Sequence, residues 1–62
     1  MDRILSITET SEWTTVPVPT LRYFRSKSTG PKSFKLAGRV RYKESDVEAW
    51  IQEQYLASEQ TS

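Results

Sequence analysis

Between Trp13 and Lys43 the 62-residue chain carries Arg22, Arg25, Lys27, Lys32, Lys35, Arg39, Arg41 and Lys43, and not one aspartate or glutamate. Guanidinium and ammonium groups at this density, without a carboxylate to neutralise them, suit the holding of a polyanion if they converge in space. A solvated, loop-rich middle with incidental cations is the plainer alternative. The flanks are acidic: residues 1–12 sum to −2 and residues 44–62 to −5, so the overall +1 hides the segregation. Histidine and cysteine are absent, which removes imidazole and thiolate metal ligands and the usual nucleophile-base pairs. No carboxylate stands with a glycine-rich phosphate loop either. The sequence therefore argues against an enzyme and implies neither cofactor nor metal.

The elements that must position these cations can be read from local chemistry. Ser6-Ile7-Thr8-Glu9 fits a capping box and starts a short helix near Ile7, running to about Thr14 with Ile7 and Trp13 facing inward. Pro17 ends it. Pro19 is tolerated in the first turn of a second helix, from about Val18 to Lys27, whose buried side would be Val18, Leu21 and Phe24. Ser28-Thr29-Gly30-Pro31 is turn chemistry. Ser33 to Tyr42 alternates as two strands. A three-residue loop would pair Leu36 with Val40 and Phe34 with Tyr42 on one face, leave Lys35 and Arg41 on the other, and put Arg39 at the tip. A third helix starts near Glu44, its acids suiting the positive end of the helix dipole, with Val47, Trp50 and Ile51 on one face. Residues 57–62 read as a flexible tail beyond a single domain of residues 1–56. No apolar run suggests a signal peptide or a membrane span, which favours a soluble, cytoplasmic protein.

Helix, tight turn, helix, two-stranded hairpin and helix is the order of a winged helix-turn-helix: mainly α with a small β-hairpin. On that reading the exposed face of the second helix is Pro19, Tyr23 and Ser26, flanked by Thr20 and Arg22. Such groups reach phosphates and base edges in the major groove of double-stranded DNA. The hairpin presents Lys35, Arg39 and Arg41, and an arginine at a narrow tip suits the minor groove. Lys27, Lys32 and Lys35 would add attraction to phosphate that is independent of base sequence. Arg25 is divided between phosphate contact and a salt bridge to Glu44 or Glu48. For Arg22 the alternative is pairing with a carboxylate of the third helix. Tyr23 could instead seal the core edge, and Arg39 could sit on a solvated tip. The aromatic set Trp13, Trp50, Phe34 and Tyr42 belongs to the core on its periodicity.

Val16 with Thr20-Leu21-Arg22-Tyr23-Phe24, then Gly38-Arg39-Val40-Arg41-Tyr42, then Ser45-Asp46-Val47-Glu48-Ala49-Trp50, resembles the DNA-binding domain of MerR-type regulators. More closely, it resembles the small stand-alone excisionases of phages and mobile elements. The resemblance spans about Ile4 to Ile51. It implies Thr20, Arg22 and Tyr23 on the recognition helix and Arg39 and Arg41 on the wing. It also implies a recombination directionality factor in a bacterial host that binds and bends DNA beside an attachment site and turns a phage integrase toward excision. Candidate partners are double-stranded DNA, that integrase and further copies of the chain on adjacent sites. A small transcriptional regulator and a protein-interaction adaptor are the competing readings. Two departures from the pattern stand out: Thr10-Ser11 replace a small apolar pair, and Thr15 replaces the usual glycine of the turn. Both predict a first helix packed less tightly than in the relatives.

Overall fold

The computed structural model describes residues 2–61. Six elements follow one another: β1 (Ile4–Ser6), α1 (Ile7–Thr14), α2 (Val18–Ser26), β2 (Phe34–Leu36), β3 (Arg39–Lys43) and α3 (Glu44–Thr61). The fold is a small helix-rich domain, three helices and a three-stranded antiparallel sheet ordered β1-β3-β2. Sequence reading supplies the hairpin but misses β1. Ile4, Leu5 and Ser6 pair with Lys43, Tyr42 and Arg41, and the Glu44 amide donates to the Arg3 carbonyl at 2.9 Å. No helix of the described residues is long and apolar enough to cross a membrane.

The capping box forms as expected. The Glu9 amide donates to Ser6 Oγ at 3.1 Å, and the Ser6 amide donates to Glu9 Oε1 at 2.9 Å. These two bonds satisfy donors that a helix start leaves unpaired. Inward-facing Thr10 is fully buried, and its hydroxyl donates to the Ser6 carbonyl at 2.9 Å. A threonine in place of an apolar residue is thus accommodated by a local bond. Trp13 corrects a second expectation: it is 43% exposed and does not join the core. With only eight residues in α1, the narrow buried stripe is filled by Thr10 and Ile7.

Thr15 caps α1 in the left-handed region, φ 63°. That conformation is natural for glycine and costly for a β-branched residue. The turn delivers Pro17 as N-cap of α2, with Pro19 in its first turn. At the far end α2 closes in a Schellman motif. The Thr29 amide donates to the Phe24 carbonyl at 2.8 Å and the Ser28 amide to the Arg25 carbonyl at 3.2 Å, while Ser28 takes φ 57°.

The hairpin register differs from the expected one. The loop has two residues, Ala37 and Gly38, with φ of 53° and 77°, the conformation that type I′ turns require. Leu36 therefore faces Arg39, Lys35 faces Val40 and Phe34 faces Arg41. Arg39 opens β3 beside the tip, not on it. Lys35 and Arg41 occupy opposite faces, because directly paired residues share a face and neighbours alternate. The cost is an exposed Leu36.

Leu5, Tyr42 and Val47 are buried together, and Ile7, Val40 and Ile51 pack against them. Leu21 is the buried residue of α2, 1% exposed. The Phe24 and Trp50 rings lie 6.2 Å apart and join α2 to α3. Beyond Ile51 the helix is exposed at Tyr55 and Leu56; of the stretch 57–62 read from sequence as a tail, residues 57–61 continue α3 and Ser62 lies outside the described residues.

Candidate nucleic-acid interface

Arg22 and Arg25 are three apart on α2, one turn of helix, and so share a face. Arg39 and Arg41 are two apart on β3 and share a face of the strand. The fold brings both pairs to one open cavity between α2 and the hairpin, lined by Arg22, Arg25, Arg39 and Arg41 with Ile7 and Val40. Arg41 is half-buried, and its guanidinium donates to the Val40 carbonyl at 2.8 Å. Among the described residues none of the four arginines is in an ion pair. The expected alternatives, Arg25 with Glu44 or Glu48 and Arg22 with an α3 carboxylate, are not formed; the pair that does form joins Arg3 to Glu9 at 3.3 Å. Acids gather elsewhere: Glu9, Glu12 and Glu44 line a separate cavity with Arg3, Leu5 and Trp13.

On the outer side of α2, Pro19, Arg22, Tyr23 and Ser26 are exposed and Thr20 is half-buried. Tyr23 is 59% exposed, so it does not seal the core edge. Lys27 Nζ lies 5.8 Å from its centroid, within the range of a cation-π contact. The Ser26 hydroxyl is engaged locally, donating to the Tyr23 carbonyl at 2.7 Å. Lys35 is exposed, pairs with Val40 on the sheet face opposite Arg41, and is not among the residues lining the arginine cavity. Lys32 lines another cavity with Arg25 and the Ser28–Ser33 turn.

Tyr42 sits behind the arginines. Burial pushes its phenol above the ordinary tyrosine value, while the Arg25 charge pulls the other way. Glu9 is held below the ordinary glutamate value, first by the backbone hydrogen bond from Ser6, with smaller contributions from the Ser6 hydroxyl and Arg3. Ile7 and Val40, which also line the cavity, are the part of the site that sequence reading missed. The sequence marked Ile7 as inward on α1 and Val40 as apolar in the hairpin, but carried no sign that the two would meet beside the arginines. No family model, curated protein or solved structure matches the chain.

Proposed function

We propose that the chain is a winged helix-turn-helix that binds double-stranded DNA and serves as an excisionase-type accessory factor of recombination. One observation carries the DNA reading: four arginines from a helix and a hairpin line one cavity, and among the described residues none of them is in an ion pair. In that reading α2 enters the major groove. Arg22 and Tyr23 then reach base edges and phosphates, with Pro19, Thr20, Ser26 and Lys27 along the same helix. The hairpin follows the adjacent minor groove with Arg39 beside its tip, where negative potential favours arginine, and widening that groove bends the duplex. Arg41 and Arg25 lie between the two elements. The narrower role, recombination directionality with an integrase and further copies as partners, rests on the sequence resemblance to small excisionases.

A module of this size buries about 600–1,000 Å² of its surface on DNA, so a single copy binds weakly. Fluorescence anisotropy of labelled duplexes at several salt concentrations tests the reading. Binding with a steep negative dependence on salt, weakened by Arg22→Ala and Arg39→Ala, is the expected result. A folded, monodisperse sample that ignores duplex DNA at low salt removes it and leaves a protein-interaction role. An excision assay with the cognate integrase then separates the directionality factor from a simple regulator.

A further inference from the structure

The arginine cavity allows a sharper statement, which rests on the DNA reading above. With α2 in a major groove and the hairpin in the neighbouring minor groove, the sugar-phosphate strand dividing those grooves crosses the cleft between them. That cleft is the cavity of Arg22, Arg25, Arg39 and Arg41. Four like charges around one opening repel one another until an anion enters. Their planar forks suit phosphate oxygens, which they can hold bidentately. Ile7 and Val40 line the same cavity, and apolar lining strengthens charge interactions made beside it. The bond from Arg41 to the Val40 carbonyl fixes one of the forks in advance.

We infer that Arg25 and Arg41, one from each of the elements lining this cavity, hold one phosphate group between them, that of the strand between the two grooves, and so set the register of the protein on the duplex. They form a single clamp. Arg22 and Arg39 line the same cavity and on the DNA reading go to the two grooves, while Arg25 also borders the neighbouring cavity of Lys32. The same chemistry accepts free inorganic phosphate, which gives the test a second arm.

Arg25→Gln, Arg41→Gln and the double variant are compared with wild type, their folding checked by far-UV circular dichroism. The logarithm of the duplex binding constant falls with the logarithm of salt by about 0.9 for each phosphate neutralised. A shared phosphate predicts that the double variant loses about 0.9 of slope in total, with the two single losses not adding. A loss near 1.8, one phosphate for each arginine, or no loss at all, overturns the shared clamp and leaves the DNA reading intact. Should wild type bind no duplex, the DNA reading fails, and melting in sodium phosphate against sodium chloride at equal ionic strength decides the clamp. A higher midpoint in phosphate that the double variant loses supports a site for the free anion. Equal midpoints overturn the inference altogether.

Discussion

Gly30 lies so close beneath Phe24 that a Cβ added to it would stand 2.8 Å from the Phe24 Cβ. The approach presses the turn after α2 onto the ring that meets Trp50, and thereby fixes how the helix of Arg22 and Arg25 meets the rest of the fold. Gly38 offers a matched contrast. It has the same positive φ, 77° against 74°, but nothing within 4 Å of an added Cβ. Gly38→Ala should cost about 1–2 kcal/mol from backbone strain alone. Gly30→Ala should cost that and about 1–3 kcal/mol more from overpacking. Urea unfolding of the two variants measures the difference, and equal losses would mean that the Phe24 contact yields freely.

Thr15 holds a glycine conformation with a β-branched side chain, φ 63°. Thr15→Gly removes a left-handed penalty of about 1–2 kcal/mol and introduces a backbone-entropy cost of about 0.5–1 kcal/mol. A net gain of about 0.5–1 kcal/mol in unfolding free energy is expected from that difference. A loss would show that the hydroxyl, which donates to the Thr14 carbonyl, matters more than the strain.

Glu9 makes stability depend on acid. Its folded pKa is lowered, so the contribution is fully present above the unfolded value of about 4.3 and is lost as pH falls through the folded value. Glu9→Gln keeps a side chain able to complete the capping box. In that variant the decline of the urea midpoint on the acid side should flatten; a decline as steep as in wild type would place the responsible carboxylate elsewhere.

Leu21 and Trp13 should exchange the importance that their sizes suggest. Leu21→Ala, at a position 1% exposed, is expected to cost about 2–5 kcal/mol, enough to unfold much of a domain this small. Trp13→Ala, 43% exposed, should cost far less than the about 3–5 kcal/mol typical of a buried tryptophan. Thermal unfolding of both variants checks the order.

These cases mark where the sequence was legible. Local bonding was: Ser6 and Glu9 announce the start of α1, Pro17 its end, and Glu44 the start of α3, since each depends on neighbours within a few residues. Pairing over distance was not. The strand of Ile4, Leu5 and Ser6 has three residues and no periodicity to display, and its partner lies beyond two helices. The hairpin register was misjudged because matching Leu36 to Val40 and Phe34 to Tyr42 looked favourable for burial. Ala37 and Gly38 instead form a tight turn, and Leu5 takes the place opposite Tyr42. The charge segregation was plain in the sequence. Its convergence on one cavity became visible only once α2 and β3 were set side by side.

The central position of β3 also bears on how the chain is made. Its partner on one side is a short hairpin away, but its partner on the other is β1, joined through Ile4 and Lys43. During synthesis the first strand emerges well before the segment that completes it. For that interval Ile4 and Leu5 form an unpaired apolar edge, open to another nascent chain until Tyr42 arrives to cover it.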